Sequence, residues 1–307
     1  MKTKNIIMVI ILQSALIFFL GFKIFQQIFN KKISIAYIDK NSINVKGTQS
    51  LKYFYEPKPN SIQEVRKDWL SSVPKYTINN DTLNERINYQ IEKPKNVFRI
   101  ITLGDSFTFG ENVNTKDNYP ELLEDRLNTQ CLNTAFEVIN LGVYGYDIQY
   151  EVERYKIRGQ KYHPDLILWM LVDDRRINEL MREFYNNCTK NNPNPTLEKQ
   201  TSHYCFRTAL DELERKKGIK TIYQILRQEF NRIFDFYNKN IVVINLNNSH
   251  QEILKNISKP KQVDIFSYDF TDKKYRLLDG HPNQAGHQKI AEDVFNYLTK
   301  NKLIPCN

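Results

Sequence analysis

Nowhere in this 307-residue chain do two cysteines form a Cys-x-x-Cys pair, so a zinc ribbon and a thioredoxin-like redox motif are both excluded. No recognised nucleic-acid motif accompanies the formal charge of +9, and the lysines and arginines are scattered rather than clustered. The charge therefore reads as a solvated basic surface, one that favours anionic lipid headgroups or acidic glycans by long-range attraction, with no nucleic-acid partner. There is no internal repeat. At 41% hydrophobic and 26% charged residues the composition is that of a globular protein, which excludes disorder, collagen-like structure and a polytopic membrane protein.

Long apolar sequence is confined to the start. Ile6 to Phe22 is broken only by Gln13 and Ser14, and with snorkelling of Lys23 the run to Phe29 is long enough for one transmembrane helix. No small-x-small cleavage site follows it, which favours a retained anchor over a cleaved secretory signal. The short N-terminal tail is expected to stay in the cytoplasm, leaving a single-pass protein whose folded part lies outside the cytoplasmic membrane. Four cysteines suit an oxidising compartment and allow three pairings. Cys188 and Cys205 flank one polar stretch and are the expected pair.

Residues 1–29 are thus a cytoplasmic tail and anchor. Residues 30–95, polar and rich in Lys, Asn and Pro with no sustained period, read as a stalk and irregular lead-in carrying no chemistry of its own. From Val97 the texture changes. Short apolar runs at 97–103, 136–141, 166–172 and 241–245 read as strands of a parallel sheet covered on both faces, the first interrupted by Arg99. Helical stripes fall between them, including Ile222, Leu226, Phe230, Ile233 and Tyr237, and Ala285 to Leu298 closes the chain as an amphipathic helix. Alternation of this kind predicts a doubly wound α/β sheet. The polar stretch 186–204 is too long for a plain connector and is a candidate lid.

In such a sheet the ligand crevice lies beyond the carboxyl ends of the strands. Three segments there could carry chemistry. Gly104-Asp105-Ser106 follows the first strand, where a tight turn into a helix exposes a serine hydroxyl. Asn140-Leu141-Gly142-Val143-Tyr144-Gly145 follows the second; taken alone it is a turn with two glycines. Asp279-Gly280-His281-Pro282-Asn283 precedes the last helix, and there a histidine has an acid two residues away, as a general base requires. His163, His203 and His250 read as caps or surface residues, and His287 as structural.

These segments, with Pro164-Asp165-Leu166-Ile167-Leu168 opening the third strand, resemble in order the four blocks of the SGNH (GDSL-like) hydrolases, over roughly Val97 to Leu303. The resemblance implies a flavodoxin-like three-layer α/β/α fold for residues 96–307. It also implies esterase, deacetylase or acyl-transfer chemistry through an acyl-serine. Ser106 would be the nucleophile, His281 its base and Asp279 the residue that orients the imidazole. The N–H groups of Ser106 and Gly145 would hold the oxyanion, and no metal or organic cofactor is required.

Two positions depart from that pattern. Where the family has an asparagine whose amide donates to the oxyanion, this chain has Asp173, which can donate only when protonated; Asn178 is a possible substitute. The position three residues before the histidine is Leu278, so the acid is Asp279, an Asp-x-His arrangement also found in acyltransferases of exopolysaccharide acetylation. The leading expectation is an extracytoplasmic esterase or deacetylase acting on acylated glycan or lipid. An O-acyltransferase of an envelope polysaccharide and a catalytically inactive binding module are the alternatives.

Overall fold

The computed structural model describes residues 51–172 and 175–306; the apolar N-terminal run, Asp173, Asp174 and Asn307 lie outside them. The expected membrane span therefore falls outside the described residues, among which no helix is long and apolar enough to cross a membrane.

Five strands form a wholly parallel sheet. They are β3 (Val97–Leu103), β4 (Ala135–Asn140), β5 (Leu166–Leu171), β6 (Ile241–Leu246) and β7 (Val263–Tyr268), in the spatial order β4-β3-β5-β6-β7. Counted from β3 this is the 2-1-3-4-5 order of flavodoxin-like sheets, with its switch point between β3 and β5. Every residue of β5 and β6 is buried, as expected for strands covered on both faces.

The period of two splits each strand between two cores. Ile101, Leu103, Ile167, Trp169 and Val243 face one layer, with helices α3 (Ile148–Arg154), α4 (Asn178–Asn191), α6 (Tyr204–Lys217) and α7 (Ile219–Asn231). Trp169 stacks on Phe230 there at 4.6 Å between ring centres. Ile100, Leu168, Met170 and Ile244 face the other layer, with α2 (Tyr119–Gln130) and α9 (Gln284–Lys300). Arg99, which broke the apolar run of the first strand, is fully buried in β3 because its register partner on β4 is Glu137, and Gln90, Ile91 and Tyr162 offer it carbonyl oxygens. A buried charge is tolerated when it is paired and its N–H groups are satisfied in this way.

The second half of the predicted lead-in is more than a connector. Residues 61–64 (β1) and 75–78 (β2) pair as an antiparallel ribbon, and Leu83 and Tyr89 join the main core. Glu56, fully buried, takes Arg154 and Arg158 from the region of α3, which fastens this segment to the domain. The four cysteines form two disulfides, Cys188–Cys205 and Cys131–Cys306.

Candidate active site

Strand β3 ends at Leu103, and the chain turns at once into the one-turn helix α1 (Ser106–Phe109). Asp105 caps that turn by accepting the Phe107 N–H at 3.0 Å and is held in turn by Arg176, 2.8 Å away. Ser106 is the first residue of the turn, only 7% exposed, and its side chain faces the cleft. The neighbouring loop after β4 is tied to the same turn, because the Asn140 amide donates to the Thr108 carbonyl at 3.0 Å. Gly142 passes so close that a side chain there would meet the Phe109 backbone at 2.4 Å.

His281 comes from the far end of the chain, just before α9. Its Nε2 lies 2.8 Å from Ser106 Oγ. Its Nδ1 lies 3.0 Å from Asp279 Oδ2, which sits off the line of the ring N–H, a contact that becomes an ion pair when the ring is protonated. Asp279 Oδ2 also accepts the Asn112 amide at 3.0 Å, and Oδ1 accepts the His281 backbone N–H at 3.2 Å. Burial opposes ionisation of Asp279, but the His281 ring and Lys67 hold its carboxyl below the usual carboxylate range. Leu278, where many family members carry the acid, is 69% exposed and takes no part.

Gly145 has φ +76°, a backbone that favours glycine, and a side chain there would come within 2.7 Å of the Tyr55 hydroxyl. Its N–H and that of Ser106 donate to no protein group among the described residues, and both residues line the same cleft. The Asn178 side chain lines the cleft and donates one of its two amide N–H groups to the Gly145 carbonyl at 2.8 Å, so it positions that peptide. Asp173 lies outside the described residues.

Four further residues of the site carried no signal in the sequence. Glu111 Oε2 lies 3.6 Å from His281 Nε2, and its Oε1 binds Lys67 at 3.0 Å. Lys67 also comes within 3.8 Å of Asp279. The Tyr76 hydroxyl accepts the Asn112 N–H at 2.8 Å, which fixes Asn112 at its positive φ of 70° beneath Asp279. Lys67 and Tyr76 both come from the stretch expected to carry no chemistry. Burial works against a charged His281, but Glu111 and Asp279 outweigh it and raise the imidazole above its ordinary value.

His203, read as a cap or surface residue, does stand exposed at the N-cap position of α6, and its ring also faces the site, 5.6 Å from that of His281. His203, Asp279 and His281 bring ligand atoms within 4.8 Å of one another. With Asp279 bound to Asn112 and the imidazole, and Nε2 on Ser106, this set fits proton transfer better than cation binding. His287 behaves as expected of a structural residue: fully buried, it accepts the Tyr119 N–H at 3.2 Å, and burial holds its ring down to about 3. His250 precedes a short helix, as a capping residue does, but is buried, with Nδ1 2.9 Å from Ser249 Oγ.

A cleft of about 400 Å³ opens over Ser106 and His281, walled by Tyr55, Tyr144, Asn178 and the 186–204 stretch. That stretch is the end of α4, a short helix α5 (Leu197–Thr201) and the turn into α6, fastened by Cys188–Cys205.

No curated protein sequence matches the chain. Among solved structures it is similar to a two-domain esterase active on acetylated mannans (15% identity, covering 69% of this chain and 51% of that one, TM-score 0.44). It is also similar to an acetyl xylan esterase (13%, 66% and 100%, TM-score 0.41) and to a family 3 carbohydrate esterase from Clostridium thermocellum (13%, 69% and 100%, TM-score 0.39). The chain thus spans about half the length of the two-domain esterase. Residues 102–289, which hold Ser106, Gly145, Asp279 and His281, match the GDSL-like lipase/acylhydrolase family, and the chain belongs to that family of ester-bond hydrolases.

Proposed function

We propose that the protein is a serine esterase that removes small acyl groups from glycan outside the cytoplasmic membrane, through an acyl-serine intermediate. The observation that carries this reading is the unbroken contact from Ser106 Oγ through the His281 ring to Asp279. In the first half of the reaction His281 Nε2 takes the hydroxyl proton as Oγ attacks the ester carbonyl. The carbonyl oxygen becomes an oxyanion within reach of the Ser106 and Gly145 N–H groups. When the C–O bond to the sugar breaks, His281 returns the proton to the departing alcohol. In the second half a water gives its proton to His281 and attacks the acyl-serine. His281 then passes that proton to Oγ as the acyl–Oγ bond breaks, which restores the serine hydroxyl and releases the carboxylic acid.

The substrate class is supported by the size of the cleft and by its tyrosine walls, since flat aromatic faces suit sugar rings. Esterases with acetylated glycan substrates are among the structures similar to this chain. The apolar N-terminal run supports tethering, and two disulfides support an oxidising compartment. Transfer of the acyl group to a saccharide hydroxyl would use the same residues, with the sugar replacing water in the second half. A fluorophosphonate probe tests the core of the proposal: it should label the wild-type protein and leave Ser106→Ala and His281→Ala unlabelled. Equal labelling of all three would end it.

A further inference from the structure

Three positive side chains line the cleft: Arg176, Arg182 and Lys199. Arg176 is answered by Asp105 at 2.8 Å, and Glu111, the one carboxylate lining the cleft among the described residues, is answered by Lys67 at 3.0 Å. Arg182 and Lys199 are different. Among the described residues neither has a carboxylate within ion-pair distance. Glu179, one turn before Arg182, uses its oxygens on the Lys52 and Tyr53 N–H groups and the Tyr150 hydroxyl.

Both cations are nonetheless held in place. The Arg182 guanidinium lies 5.9 Å from the Tyr53 ring and 5.6 Å from the Tyr55 ring. Lys199 Nζ stands 4.8 Å from the Tyr204 ring and donates to Asn192 Oδ1 at 3.0 Å. Such contacts fix a cation without neutralising it, so its field remains available to a ligand. The Tyr55 hydroxyl in turn donates to the Tyr144 carbonyl beside Gly145. The Tyr55 ring therefore stands between Arg182 and the peptide that carries the Gly145 N–H. Lys199 faces the cleft from the other wall, in the disulfide-fastened stretch.

We infer that the cleft is a subsite for an acidic saccharide: the preferred substrate is an acyl ester on a carboxylate-bearing sugar polymer, with Arg182 and Lys199 receiving the carboxylates while the ester lies at Ser106. This rests on the esterase reading and narrows its substrate. Because the two charges lie away from the reacting atoms, they act on binding, so the preference resides in KM rather than kcat.

The test compares, for the full chain in detergent, acetylated oligogalacturonides with acetylated xylo-oligosaccharides of matched length, and 4-nitrophenyl acetate as a small neutral ester. The ratio of kcat/KM for the acidic over the neutral oligosaccharide should exceed one and shrink as salt rises. It should fall about three- to tenfold in each of Arg182→Gln and Lys199→Gln. Lys300→Gln, at the far end of α9 and about 25 Å from its start, should leave the ratio alone. Ser106-dependent hydrolysis with no acidic preference, or a preference indifferent to salt and to both substitutions, overturns the inference and leaves the esterase reading standing. If a variant does not fold, the salt dependence of the wild type decides. Absence of Ser106-dependent hydrolysis of all three esters overturns both.

Discussion

Two oppositely charged side chains flank the His281 ring, and removing either one should move the acid limb of the pH–rate profile, in opposite directions. Glu111 Oε2 is 3.6 Å from Nε2, and Lys67 is 3.0 Å from the other Glu111 oxygen and 3.8 Å from Asp279. Coulomb's law at an effective dielectric constant of about 20 gives roughly 4.6 kcal/mol for a carboxylate at that distance from an imidazolium. That figure is an upper bound on what deleting Glu111 alone can do, since Lys67 stays in place and solvent relaxation weakens the interaction. His281 must be neutral to accept the serine proton, so kcat/KM rises as pH climbs through its pKa. Glu111→Gln withdraws a group that favours the charged ring, lowers that pKa and moves the acid limb down. Lys67→Met leaves Glu111 and Asp279 unanswered, raises the pKa and moves the limb up. Asp105 also favours the charged ring, and His203 faces it from the cleft, so both must be retained in each variant. Profiles measured with 4-nitrophenyl acetate decide the matter. Shifts of the same sign, or none in either variant, would refute the electrostatic account of this histidine.

Asn178→Ala should cost about ten- to hundred-fold in kcat with little change in KM, because the Gly145 peptide loses the amide that fixes its carbonyl; a pure KM effect would argue against an oxyanion role for that loop. Replacing Cys188 and Cys205 with serine opens a loop closed by 17 residues of separation and should remove about 3 kcal/mol of stability by chain entropy, read as a lower midpoint in urea. Glu124, packed against Tyr89 and the Val138 N–H, is pushed up to about 7 by burial. A carboxyl raised by folding contributes stability that is whole below its unfolded pKa of about 4.3 and is lost as pH rises through its folded value. Between about pH 4.5 and 7 the melting temperature should therefore decline on this account, and Glu124→Gln should flatten the decline.

The strands most legible in the sequence are those whose environment is uniform. Strands β3, β5 and β6 are apolar because both faces are covered, and they emerged from composition alone with ends within a residue of those observed. Strand β7 went unread for the converse reason. It lies at one edge of the sheet, all of its residues but Tyr268 are exposed or half-buried, and Val263-Asp264-Ile265-Phe266-Ser267-Tyr268 after Lys259-Pro260-Lys261 resembles a loop. The 61–78 ribbon was missed likewise, since four-residue strands give too few positions for a period to show.

Sequence by itself determined what is written locally: a serine on the turn after one strand, a glycine loop after the next, and an acid two residues before a histidine. Their spacing along a doubly wound chain marked them as candidates because strand ends in such a sheet share one rim. Only the tertiary structure decided that Ser106 and His281, 175 residues apart, lie at hydrogen-bond distance. It also decided that Asn178 serves the Gly145 carbonyl, that His203 faces the cleft, and that Lys67, Tyr76, Glu111 and Asn112 surround the acid and the base. Those assignments depend on the direction of a side chain across a gap between elements distant in the chain. No period, propensity or motif encodes that direction, which folding alone fixes when the N-terminal segment closes over the sheet edge.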